Sequence, residues 1–122
     1  MGGGTPQPGV PVRGSASGRP VMAALDLLGR RWTLRILWEL SQAPYGFREL
    51  QRRCEWMSSS VLSTRLGELT DTRLLVLRED GYHLTPLGRD LVDALKPLDA
   101  WSRRWAGETE ADPAEGPPGA VE

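Results

Sequence analysis

At Leu75 the apolar pattern of the chain changes period. Before it, apolar residues recur every three or four positions, as on the face of a helix. From Leu75 to Leu84 they alternate, and at Thr85-Pro86 the helical spacing returns. The alternating residues Leu75, Leu77, Tyr82 and Leu84 flank Asp80-Gly81, the strongest short-range signal for a β-hairpin. Such a chain folds as a mostly helical domain (α+β) with one small two-stranded element.

The helical part reads as four pieces before the hairpin and one after it. Pro20 opens the first, Gly29 stops it, and Val21, Ala24, Leu25 and Leu28 fall at i, i+3, i+4, i+7. The second covers Arg30 to Ser41. Trp32, Ile36 and Glu39 lie on one side and Leu34, Leu37 and Trp38 on another, so it is expected to be the central, most buried helix. Ala43-Pro44-Tyr45-Gly46 is a turn. A short third helix turns Phe47, Leu50 and Cys54 inward and Arg48, Arg52 and Arg53 outward. The run Ser58-Ser59-Ser60 is a helix start, because a serine hydroxyl can accept from the amides of the first turn. In the helix that follows, about 58–72, Leu62, Leu66 and Leu69 form the buried face, and Ser60, Ser63, Thr64 and Gly67 the exposed one. The last helix carries one stripe, Leu87, Leu91, Leu95, Leu98, Trp101 and Trp105. Pro97 is expected to kink or split it.

Composition narrows the function classes. No apolar run reaches the ~18 residues of a membrane span, and residues 1–18 lack the apolar stretch of a secretory signal. One cysteine and one histidine exclude an internal disulfide and a Cys/His zinc site. His83 reads as a residue of the second hairpin strand with no carboxylate or thiol nearby in the sequence, so neither a metal nor a catalytic role is expected of it. No nucleophile–base pair, phosphate loop or useful carboxylate pair is present, so neither an enzyme nor a cofactor is expected. Residues 1–18 are rich in Gly and Pro and 107–122 hold five acids and no base, so both read as disordered tails around a folded domain at 19–106. That domain carries 14 Arg/Lys against 11 Asp/Glu, where the whole chain has a net charge of −1. A core this small is marginal alone, which favours a homodimer.

Two short helices joined by a tight turn, followed by a hairpin, form the layout of a winged helix-turn-helix. The segments RPVMAALDLLGRRWTLRILWEL, FRELQR, SSSVLSTRLGEL and YHLTPLGRDL, in this order and spacing, resemble the HxlR-type winged-helix transcription regulators. The resemblance covers about 19–105. It implies a sequence-specific regulator of a nearby operon that binds double-stranded DNA as a homodimer; a cytoplasmic location is the expectation from the lack of any targeting signal. The helix at 58–72 would enter the major groove, and the wing would span 76–84. It also implies dimerisation through the first and last helices, hence through Val21, Leu25, Leu91, Leu95, Leu98, Trp101 and Trp105. The chain departs from the family in four places. Arg19 stands where members carry a cysteine that some use as a sensor. The recognition helix keeps only Arg65. Arg73 replaces the glycine after it, and the wing is short, with two acids at its tip.

The DNA contacts expected on this basis are Arg48, Arg52, Arg53, Ser58, Ser59, Ser60, Ser63, Thr64, Arg65 and Arg78. Arginines neutralise phosphate, and hydroxyls reach phosphates or base edges. Arg65 is read as a base or phosphate reader, with local pairing to Glu68 or Asp71 as the competing reading. From Glu55 to Asp71 the segment holds one base and three acids. That depletion supports an alternative function: a winged-helix dimer with weakened DNA binding, serving as a small-molecule-binding or protein-interaction module. Trp32, Trp38 and Trp101 are candidate walls of a pocket for a small planar effector, although aromatics at helical spacing also serve as core or dimer seam. Trp56 is expected to pack beside the turn before the recognition helix, and Cys54 to be a buried, inert thiol.

Overall fold

The computed structural model describes residues 5–8 and 19–110. The expected tails at 1–18 and 107–122 therefore lie outside the described residues, except for 5–8 and 107–110. The elements run α1 (Pro20–Leu28), α2 (Thr33–Gln42), α3 (Phe47–Arg53), α4 (Ser59–Asp71), β1 (Leu75–Arg78), β2 (Gly81–Leu84) and α5 (Pro86–Glu110). Two compact units are present, one ending at Asp90 and one beginning at Leu91. Helix α5 starts in the first and supplies the second.

The first unit is a winged helix-turn-helix. Its core is Ile36, Leu37 and Leu40 of α2, Leu50 of α3, Leu62, Leu66 and Leu69 of α4, and Leu74 and Leu75 at the entry to the hairpin, with Cys54 and Met57 from the joint between α3 and α4. Each large side chain buried here contributes about 1.5–3 kcal/mol. Helix α2 packs on α1, α3 and β2, as a central helix should. It is not buried all round, however: Leu34 and Trp38, one turn apart, are exposed. Helix α1 also uses a different face from the expected apolar row. Ala23 and Leu27 enter the core, whereas Val21 and Leu25 face outward.

The hairpin pairs Leu75 with Leu84, Val76 with His83, Leu77 with Tyr82 and Arg78 with Gly81. The two-residue loop is thus Glu79-Asp80, one position earlier than the Asp-Gly signal placed it. The reason is steric. Gly81 has φ +123, and a Cβ there would come within 2.5 Å of the Tyr45 backbone. The Tyr82 amide donates to the Tyr45 carbonyl at 2.8 Å, so the turn after α2 adds one bridge to the outer edge of the wing. Only glycine allows the chain so close.

Helix α5 begins as expected. The Thr85 hydroxyl accepts from the Gly88 amide at 3.0 Å and donates to the Arg73 carbonyl at 2.7 Å. Pro97 does not split it: the helix continues to Glu110, four residues past the expected boundary. A proline removes one amide donor, and the turns after it keep theirs. In the second unit Leu98, Trp101 and Trp105 are exposed, and the two indoles stack at 5.3 Å with an interplanar angle of 18°. Leu91 and Leu95 are half-buried.

Candidate nucleic-acid interface

Helix α4 is set by its start and its stop. The Ser58 hydroxyl accepts from the Val61 amide at 3.1 Å, the expected cap. At the other end the Leu74 amide donates to the Leu69 carbonyl and the Arg73 amide to that of Thr70, both at 2.9 Å. This is a Schellman stop, with Arg73 in the left-handed position at φ 67 that glycine usually fills. Between these ends, Leu62, Leu66 and Leu69 are buried, and Ser60, Ser63, Thr64 and Gly67 share an exposed face. The Ser63 and Thr64 hydroxyls have no hydrogen-bond partner among the described residues.

The joint between α3 and α4 is built the same way. The Glu55 amide donates to Arg52 and the Trp56 amide to Gln51, with Glu55 at φ 60 and Trp56 at φ 56. Gln51, buried, bridges the joint through its amide group. It donates to the Met57 carbonyl at 3.0 Å and the Ser59 hydroxyl at 2.9 Å. Ser59 is therefore engaged within the fold, which sequence reasoning did not anticipate. Trp56, expected to pack beside this turn, is 60% exposed, with the Arg48 guanidinium 5.8 Å from its ring centre.

The arginines divide into two groups. Arg65 is paired locally, as the competing reading had it. Its side chain is only 18% exposed, and it donates to the Arg31 carbonyl at 2.7 Å and to Glu68 at 3.3 Å. Glu68, buried, also takes Arg30 at 2.6 Å, and Arg30 reaches Asp26 at 3.2 Å. This network ties α4 to α1 and the α1–α2 joint. Arg52 and Arg53 both pair with Glu49, and Arg53 also lies 3.6 Å from Glu39 and stacks over Tyr45 at 4.2 Å. Hydrogen bonding from Arg52, chiefly, holds the Glu49 carboxyl below the usual carboxylate range. Arg48, Arg73 and Arg78 are exposed and carry no ion pair among the described residues.

At the wing tip His83 faces Asp80 at 2.6 Å, so the histidine does have a carboxylate neighbour, brought there by the hairpin turn. That hydrogen bond is the main reason the Asp80 carboxyl lies below its ordinary range. Burial pushes the Cys54 thiol up, away from the reactive thiolate. The three tryptophans considered as pocket walls are not one cluster in the first unit. Trp32 caps α2 in a left-handed conformation (φ 75), Trp38 sits six residues further round the helix, and Trp101 belongs to the second unit. No cluster of three or more His, Cys, Asp or Glu side chains able to hold a metal occurs among the described residues. None of the described helices is long and apolar enough to cross a membrane.

A capped helix with a polar outer face, a short helix before it and a two-stranded wing after it define a winged-helix DNA-binding protein. A family model described as HxlR-like helix-turn-helix matches residues 27–110, and the chain belongs to that family. It is similar to the uncharacterised HTH-type transcriptional regulator YvaP of Bacillus subtilis (strain 168), with 30% identity over 89 residues, 67% of this chain and 82% of YvaP. Among solved structures it is similar to quinone-bound YodB from B. subtilis, with TM-score 0.65 and 28% identity over 69% of this chain and 96% of that one. It is also similar to a possible HxlR family transcriptional factor from Thermoplasma volcanium GSS1, with TM-score 0.63 and 26% identity over 75% and 89% of the two chains. The chain is a DNA-binding transcription regulator of the HxlR type.

Proposed function

We propose that the chain acts in the cytoplasm as a homodimer that places α4 of each copy in the major groove of duplex DNA and acts by occupying its site, not by catalysis. The observation that carries this reading is the exposed face of α4. Ser63 and Thr64 stand on it with unpartnered hydroxyls, one helical turn from Ser60 and Gly67. Arg48, Arg73 and Arg78 supply the phosphate contacts, and Ser58 and Ser60 lie at the helix end nearest the groove wall. Arg52 and Arg53 contribute less, because Glu49 already holds them. Arg65 shapes the helix position instead of touching DNA.

The exposed apolar residues of α1 (Val21, Leu25) and of the second unit (Leu98, Trp101, Trp105, with Leu91 and Leu95) are proposed to meet a second copy. A small planar effector is part of the proposal, on the strength of the quinone in the YodB structure and the exposed, stacked Trp101 and Trp105 of the second unit. The double variant Ser63→Ala/Thr64→Ala tests the assignment of α4. Its affinity for the operator should fall about tenfold while binding to a scrambled duplex stays constant. Unchanged operator affinity would remove α4 as the reading element.

A further inference from the structure

We infer that Trp56 is a DNA-backbone contact: its exposed indole, braced by Arg48, meets the phosphate–sugar wall of the groove that α4 enters. The inference deepens the proposed function and rests on it.

Three observations carry it. The first is strain. Trp56 has φ 56 and follows Glu55 at φ 60, so two successive residues with Cβ atoms occupy the left-handed region. Each is costly, and such residues persist where the surroundings or the function require them. A tryptophan there would ordinarily be repaid by burial of its large ring, but 60% of Trp56 remains exposed. The second is its unused donor: the indole N–H has no hydrogen-bond partner among the described residues. The third is its charged neighbour. The Arg48 guanidinium lies 5.8 Å from the ring centre, so a cation and a neutral N–H donor stand side by side.

The position selects the partner. In a helix-turn-helix the first helix crosses the DNA backbone and the second enters the groove. Arg48 is on α3, and Trp56 lies two residues before Ser58, the cap of α4. The pair thus sits where the chain passes from backbone to groove, outside the face that carries Ser63 and Thr64. A phosphate oxygen accepts from both donors, and the adjacent sugar covers the ring. Such a contact fixes register and carries no base information.

The test uses the full chain, with fluorescence anisotropy on the duplex upstream of its own gene and on a scrambled duplex of equal length. Trp56→Gly fits the left-handed backbone, so its melting temperature should be at least that of the wild type. Its affinity should nevertheless fall about fivefold, by the same factor on both duplexes. Trp56→Phe, which keeps a ring and loses the N–H, should fall between the two. Wild-type binding with an unaltered Trp56→Gly affinity overturns this inference alone. A loss confined to the upstream duplex overturns the backbone assignment, and a Trp56→Phe chain that binds like wild type overturns the donor role. A wild-type chain that binds neither duplex overturns both this inference and the reading of α4.

Discussion

Arg73 and Arg65 show how differently one residue type is used within a single helix and its stop. Arg73 occupies a left-handed position that costs an L-residue ~1–2 kcal/mol, with its side chain in solvent. Arg73→Gly should therefore raise the melting temperature by a few degrees, after allowance for the greater freedom of glycine in the unfolded chain. A lower melting temperature would show that the arginine side chain stabilises the stop. Arg65 is instead part of the buried network around Glu68. Arg65→Ala should lower stability by about 1–3 kcal/mol, because the Arg31 carbonyl and half of Glu68 lose a charged donor. The expected signature is a lower denaturation midpoint with the preference for operator over scrambled DNA retained. A selective loss of operator binding at unchanged stability would restore the base-reading role. The inward position of Arg65 has a trace in the sequence: it lies three residues after Leu62 and one before Leu66, close to the buried face. Its pairing with Glu68, three residues on, was the competing reading of the sequence, whereas the Arg31 carbonyl, 34 residues away, had no such local signal.

The elements were the most legible level, because periodicity reports which faces are apolar. The start of α4 at the serine run, its three core leucines and its exposed polar face all followed from spacing. The hairpin followed from alternation, but its loop moved by one residue, since what decides it is the approach of Gly81 to Tyr45 from a distant turn. The bridging role of Gln51 was invisible for the same reason: it depends on how α3 and α4 meet. Two carboxyls in this region carry lowered affinity for protons, Glu49 through Arg52 and Asp80 through His83. A depressed carboxyl stabilises the fold at every pH above its unfolded value, ~4, and that contribution disappears as pH falls through its lower folded value. Thermal stability should accordingly be flat with respect to these groups from neutrality to about pH 5 and decline below about pH 4. Melts of Glu49→Gln and Asp80→Asn should show a shallower acid decline than the wild type. An identical decline would mean that these pairs do not form in solution.

At the scale of the whole molecule, charge is separated along the sequence. The residues from 19 to 106 are net basic at +3; the five acids after them and Arg13 before them bring the chain to −1. Much of the basic surplus is spent inside the fold, where Glu39, Glu49 and Glu68 hold Arg30, Arg35, Arg52, Arg53 and Arg65. A count of arginines therefore overstates the cation available to DNA, and only the folded arrangement separates the two uses. With Arg48, Arg73 and Arg78 as the main phosphate contacts, a dimer would make six, for a salt slope of roughly −5. The most direct measurement is anisotropy of the full chain with the duplex upstream of its own gene and a scrambled control, at about 50, 100 and 200 mM salt. The account predicts ~10³-fold or greater preference for the upstream duplex, with that slope. Equal, weak binding to both duplexes would contradict it, leaving an electrostatic attraction without a reading helix.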